Sequence, residues 1–353
     1  MKSVSVAMAT CNGEKYLAAQ LDSLARQTRP PAELVVTDDS SADATLDILA
    51  DFSYRAPFPV RVYANAERLG YRANFMRAVS LCKSDFVSFC DQDDVWFDDK
   101  LARCMARLDA SDALLLSHNA IVTDSALAEI DTLAKDALAQ PDNPPLSIDP
   151  LKYGLGFTLL FDRRLAQFEP LWHRSIDFND GSSKEGHDQW FFFLANALGP
   201  VLYIDAPLAH YRRHTNTATR TTWAGASSAA QALHYLFECL PRWANHATGC
   251  EHRAAVLDAI AADPSSPYAA AARAGAERYR AYARLYRERI ELYNATSVIE
   301  RSRRFAAILS SGGYRNGDVW AKGTKSACKD LLAGVLRLSH VMPATARTRL
   351  RGY

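Results

Sequence analysis

Short apolar runs alternate with amphipathic stretches over the first 120 residues, the pattern of a mostly parallel sheet covered by helices. Residues 4–8, 34–37, 60–63, 86–90 and 113–117 read as strands. Between them Leu17, Leu21 and Leu24 share one helical face, as do Leu101, Cys104, Met105 and Leu108, so each helix has an apolar stripe for the sheet. Pro30 and Pro31 are expected to stop the first helix. Residues 131–150 turn loop-like around four prolines, and residues 153–161 resume a strand pattern. A helix is expected over 188–198, closed by Gly199 and Pro200, followed by two strand runs at 201–204 and 208–212. After Thr222 alanine, arginine and tyrosine recur at helical spacing, which sets a division into an α/β domain over residues 1–222 and a mostly helical region over 223–353.

With 353 residues and 48% hydrophobic content, the chain has room for a large domain plus a smaller one, each with its own core. No stretch has the ~18 uninterrupted apolar residues of a membrane span, and the N-terminus runs straight into a strand pattern without a signal-like core. The expectation is a cytoplasmic protein. Seven cysteines without CxxC spacing fit reduced thiols better than bridges or a zinc site.

The net charge of +1 conceals an asymmetry. Residues 273–353 carry 17 Lys and Arg against 6 Asp and Glu, leaving 24 against 34 in residues 1–272. A basic end on an acidic body suits an anionic surface. No zinc-finger spacing or RNA-binding aromatic signature is present, so nucleic acid is not the expected partner. Peripheral contact with the inner membrane, through residues 301–304 and 331–351, is one expectation. Homo-oligomer formation or an acceptor grip through the same helices is the other, and ordinary solvated helix faces would look alike.

In parallel sheets ligands collect beyond the carboxyl ends of strands, where the polar clusters 10–12, 38–41 and 91–94 all fall. The densest is FVSFCDQDDVW, in which an apolar run breaks into Asp91, Asp93 and Asp94. Carboxylates so close repel unless a cation lies among them, and a hard divalent ion with phosphate oxygens would satisfy them. A solvated acidic turn, with Asp98 capping the next helix, fits the same residues.

Six blocks in order resemble the family 2 glycosyltransferases, inverting enzymes of GT-A fold, in their bacterial rhamnosyltransferase-like branch. They are VSVAMATCNGEKYLAAQLDSLARQT, ELVVTDDSSADAT, NAERLGYRANFMRA, FVSFCDQDDVWFDDKL, GHDQW and YRRHTNT, spread over residues 1–222. The resemblance implies an α/β GT-A domain with a Rossmann-like, mostly parallel sheet and a C-terminal helical extension. It also implies transfer of a sugar, rhamnose being one candidate, from a dTDP or UDP donor to a glycan or lipid-linked glycan acceptor.

Carried over by position, Thr10, Asn12 and Glu14 belong to the loop that holds the nucleotide, with Cys11 where the family usually has tyrosine. Asp39 would accept the imide N–H of uracil or thymine; Asp38 and Asp39 could equally form a turn into the next helix. Arg72 and Asn74 would order the loop around the donor, although arginine there could be an exposed cap. Asp91, Gln92 and Asp93 form the DxD motif, with Asp93 on Mn2+ or Mg2+ and Asp91 on the ribose or the metal's water shell.

Asp188 matches the catalytic base and Trp190 the ring beside the acceptor; as a helix cap Asp188 would need no catalytic role. His214 lies where several relatives place a metal ligand, which would favour manganese. A lone histidine among arginines is also an ordinary surface feature. Arg212 and Arg213 could reach the diphosphate, with only one facing inward. A non-catalytic nucleotide-sugar binding module is the alternative function. An NAD-type oxidoreductase is disfavoured because ATCNGE replaces GxGxxG after the first strand.

Overall fold

The computed structural model describes residues 2–133, 138, 140–214 and 239–337. The chain divides into two compact units: Met1–Ile148, Lys152–His173 and Glu185–Ala218 form the first, and Asp149–Leu151, Arg174–Lys184 and Thr219–Tyr353 the second.

The first unit is built on one mixed sheet. Its strands are β1 (Val4–Thr10), β2 (Glu33–Asp38), β3 (Val60–Ala64), β4 (Phe86–Asp91), β5 (Val95–Trp96), β6 (Leu115–Thr123), β7 (Glu129–Thr132), β8 (Asp142–Asn143), β9 (Leu159–Asp162) and β10 (Val201–Arg212). The order is β3-β2-β1-β4-β9-β6-β10-β5, with β7 beside β6 and β8 beside β10. Along the main path β3, β2, β1, β4, β6 and β10 run one way, whereas β9 and β5 oppose them. The expected α/β arrangement is therefore present. The nearly continuous burial of β1, β2 and β4 is explained by helices on both faces.

Helix α1 (Leu17–Ala25) buries Leu17, Leu21 and Leu24 as its stripe requires, and ends at Ala25, before Pro30. Helices α2 (Thr45–Arg55) and α3 (Tyr71–Leu81) follow β2 and β3. Helix α4 (Lys100–Asp109) buries Leu101, Cys104, Met105 and Leu108, and Lys100 with them. Its N-cap residue is Asp99, not Asp98, whose side chain pairs with Arg26 at 3.3 Å. Helices α5 (Glu169–Trp172) and α6 (His187–Leu198) complete the unit.

Three local expectations are corrected. The runs 201–204 and 208–212 form one strand, because irregular registers around Pro207 let β10 continue where a proline interrupts the ladder. Residues 131–150 are not all loop, since β7 and β8 pair by backbone with β6 and β10. The stretch 153–161 is strand only from Leu159; Gly156–Thr158 is a 3-10 turn.

In the second unit α7 (Cys239–Ala261) and α8 (Ala269–Asn294) pack along each other, and α9 (Val298–Ser310) and α10 (Gly323–Lys329) follow. Its centre holds Arg289 and Asp330, joined at 2.6 and 3.1 Å, with the hydroxyls of Tyr293 and Tyr314 also donating to Asp330. Arg301 is buried and donates to the carbonyls of Ala295, Thr296 and Val335. Arg304 pairs with Glu300 and Glu291. The run 301–304 is thus not one open basic face, and residues 338–351 of the other basic stretch lie outside the described residues. No described helix is long and apolar enough to cross a membrane. Cys82, Cys90 and Cys104 are buried free thiols, Cys250 is buried, and Cys328 is exposed.

Candidate active site

Register brings the polar clusters together. Thr10 stands opposite Asp38 and Ala9 opposite Asp91, so β1, β2 and β4 end at one level and release their loops side by side. Those loops are tied by side chains. Thr10 Oγ1 donates to Asp38 Oδ1 at 2.7 Å. The Gln92 amide takes both backbone groups of Cys11, at 2.9 and 3.1 Å, as another strand residue would. Gly13 leaves room for it, because a Cβ there would lie 2.4 Å from Gln92 Oε1 and displace the amide. Asn12, at a φ of 49° that asparagine tolerates, accepts from the Ala42 N–H, and Glu14 accepts from the Ala44 N–H.

Asp39 is buried and accepts from the Leu69 and Gly70 N–H groups and from Asn65 Nδ2, at 2.7 to 2.9 Å. Asn74 is buried too; it donates to the Thr37 carbonyl and accepts from Asn65. Both residues hold the 65–70 loop against β2. Arg72 lies outside this network, over the Tyr71 ring and donating to its hydroxyl at 2.9 Å.

The acid turn after β4 is clamped by the end of β10. Asp94 is wholly buried; its Oδ1 accepts from the Arg212 N–H at 3.0 Å, and its Oδ2 has no partner among the described residues. The Arg212 guanidinium donates to the Asp93 and Ser125 carbonyls, so it braces the turn from within. His214 Nε2 lies 2.8 Å from Asp93 Oδ2. Tyr16, just before α1, lies against both, 4.8 Å from the His214 ring and 4.6 Å from the Arg212 guanidinium.

The electrostatics reflect crowded negative charge. Burial pushes Asp91 up to about 8, and the charges of Asp93 and Asp188 add to it while Lys100 opposes. Burial, then Asp93 and Asp91, raises Asp94 well above the usual carboxylate range. Asp188 is therefore within electrostatic reach of the acid turn.

Helix α6 presents Asp188 to this region in a particular way: every other residue from His187 to Leu198 is buried. Asp188 Oδ1 accepts from the Gln189 N–H, and Gln189 Oε1 accepts from the Gly186 N–H, which closes the first turn. His187 stacks on Phe75 at 3.9 Å and meets the edge of Phe89 at 4.6 Å. Burial, with Arg72 nearby, pulls it down to about 3, so its imidazole stays neutral. Trp190 is fully buried and packs on Phe193, because α6 is covered on all sides; its indole does not face an open acceptor groove.

The structure thus joins Thr10, Asn12, Glu14 and Gln92 in one loop network, Asp39 and Asn74 in a second, and Asp91, Asp93, Asp188 and His214 in a charged cluster. Sequence reasoning missed Tyr16 and the buried Lys100; of the two arginines of which one was expected to face inward, Arg212 is the buried one, and it donates to the carbonyls of Asp93 and Ser125. The one available signal was for Lys100, which falls four residues before Cys104 on the apolar stripe of α4.

Among the described residues, no three His, Cys, Asp or Glu side chains converge as a metal-ligand set. The acid turn still has features a cation would satisfy: among the described residues the buried Asp94 Oδ2 has no partner, and burial, then the charges of Asp93 and Asp188, raises Asp91.

The family model Glycosyl transferase family 2 matches residues 5–139. The dTDP-rhamnosyl transferase RfbG of Shigella flexneri is 33% identical over 118 residues, 32% of this chain and 41% of that protein. An uncharacterised protein of Mycobacterium tuberculosis, Rv1520, is 25% identical over 217 residues, and the match covers 60% of this chain and 59% of that relative. Among solved structures, residues 1–349 of Staphylococcus aureus TarS in complex with UDP-GlcNAc align with 85% of this chain and 95% of that chain, at 18% identity and a TM-score of 0.50. That likeness is one of fold.

Proposed function

From the membership of this chain in the family 2 glycosyltransferases, carried by residues 5–139, we propose that it is a metal-dependent inverting enzyme. It moves a sugar from a dTDP- or UDP-linked donor to a bacterial surface glycan, with residues 1–222 as the catalytic domain and 223–353 as a helical accessory region. Rhamnose is the first sugar to test, since RfbG is named as a dTDP-rhamnosyl transferase. The observation that carries the reading is that Asp188, the sole residue of α6 that is not buried, lies close enough to the acid turn for its charge to raise Asp91.

In this reading the first loop and the acid turn bind the donor. Thr10, Asn12 and Glu14 shape the nucleotide pocket. Asp39 has an acceptor position left over for a pyrimidine imide, because three donors do not exhaust a carboxylate. Asp91, Asp93 and His214 would hold Mn2+ or Mg2+, with donor phosphates and water completing the ligands. When bound, that ion would neutralise the charge of the leaving nucleoside diphosphate.

Asp188 removes the proton of the acceptor hydroxyl as its oxygen bonds to the anomeric carbon, on the face opposite the departing diphosphate. The bond to the leaving oxygen breaks as the new one forms, so the configuration inverts without a covalent enzyme intermediate. Arg72 can reach the sugar or diphosphate, while Asn74 and Gln92 position the loops. Trp190 supports the acceptor side from behind rather than by direct contact.

A screen of nucleoside-diphosphate sugars with manganese, read by released diphosphate and by thermal shift, tests the proposal. Binding without either transfer or slow donor hydrolysis would favour a non-catalytic binding module. Flotation with anionic vesicles, and the mass in solution, test peripheral membrane contact and self-association.

A further inference from the structure

Lys100 has no part in the reaction just described, yet it is wholly buried, and an ammonium group taken out of water needs compensation. Its Nζ donates to the Phe157 carbonyl at 2.6 Å and lies 3.4 Å from the centre of the Trp96 ring. It also feels the charges of Asp91 and Asp94 on the acid turn. On its far side the link continues. Phe157 belongs to the 3-10 turn Gly156–Thr158, and His187 Nε2 rests so close to Gly156 that a Cβ there would lie 2.7 Å away. His187 is the residue before Asp188 and the first of α6.

A set of contacts therefore runs from Trp96, two residues past the acid turn, through Lys100, Phe157, Gly156 and His187 to Asp188. We infer that Lys100 is a positioning residue that sets the separation between the donor-binding acids and the base. The inference rests on the reading of Asp188 as base. A methionine would fill much the same volume but would remove the donor from the Phe157 carbonyl and the positive charge over the Trp96 ring. The turn, His187 and Asp188 could then drift relative to the donor site, and a small misplacement of reacting groups is costly in rate.

The experiment compares Lys100→Met and Lys100→Gln with the wild type by steady-state transfer kinetics, with thermal unfolding as a control. Wild-type turnover checks the functional reading by itself, so its absence would fault that reading and not this one. In Lys100→Met, kcat should fall by about 10- to 100-fold while the donor KM stays within about threefold of wild type. Lys100→Gln keeps an N–H for Phe157 and should recover most of the loss. Wild-type kcat in the methionine variant, a loss carried wholly by donor KM, a glutamine variant no better than methionine, or a rate loss that merely tracks the unfolded fraction would each overturn the inference. If Lys100→Met does not fold, Gly156→Ala loads the same link from the His187 end. It should lower kcat with donor KM unchanged, and wild-type kcat there would overturn the inference equally.

Discussion

His214 Nε2 lies 2.8 Å from Asp93 Oδ2 although 121 positions separate them in the chain. The contact exists because β5, which follows the acid turn, pairs antiparallel with β10, and Arg212 ties the Asp93 carbonyl to the end of that strand. Asp93 and His214 are thus held in contact, as the proposed metal site would need. Replacing His214 with Ala should raise the manganese concentration for half-maximal rate at least about tenfold, with less effect on magnesium. A metal titration of initial rates checks this, and an unchanged midpoint would remove His214 from the ligand set.

Asp188 is the accessible carboxylate at the start of an otherwise buried helix. Asp188→Asn keeps the shape and an acceptor oxygen for the Gln189 N–H but cannot take a proton. Turnover should fall by about 10²- to 10⁴-fold, while donor binding, followed by calorimetry, changes little. A variant with full rate would show that another group takes the proton.

The strands β1, β2 and β4 were legible because apolar runs and polar strand ends mark each of them twice, whereas their order in the sheet was not read. The site was legible in outline for the same reason: Asp91 and Asp93 sit where an apolar run stops. The working partners of Asp39, Asn74 and Gln92 were not. Each spends its side chain on backbone groups or amides brought near by strand register, and register is a tertiary property that local spacing does not encode. Trp190 and Arg301 misled for a related reason. Whether a helix is covered on one side or on all sides depends on what packs over it, so an indole expected at a groove and an arginine expected at a surface both turned inward.

In the second unit Arg289 and Asp330 form a buried ion pair, with the guanidinium 3.9 Å from the centre of the Trp243 ring. Removing one partner leaves the other charge without compensation in a poorly solvating interior. Asp330→Ala should therefore destabilise the helical region by about 3–5 kcal/mol. Urea unfolding followed by tryptophan fluorescence measures the loss, and a change below about 1 kcal/mol would mean that water reaches Arg289 readily.

His246 gives the helical region a pH dependence of definite sign. Burial first, then the positive charges of Arg242, Lys322 and Arg289, pull it down to about 3. Its ring meets Phe178 and Tyr286 edge-on, at 5.9 and 5.1 Å. In the unfolded chain the imidazole protonates near its ordinary value of 6.5, so below that pH the unfolded state binds a proton that the folded state refuses. Stability is then level above pH 6.5 and falls as the pH drops from there toward 3, by at most about 1.4 kcal/mol per pH unit for this group. His187 contributes with the same sign, whereas Asp91, whose carboxyl is raised in the fold, contributes with the opposite one. The difference between wild type and His246→Phe isolates the single group. Between pH 6.5 and 5 the urea midpoint of the variant should fall less steeply than that of the wild type, with the two curves parallel above pH 7. Equal slopes in the acidic window would mean that His246 is protonated within the fold.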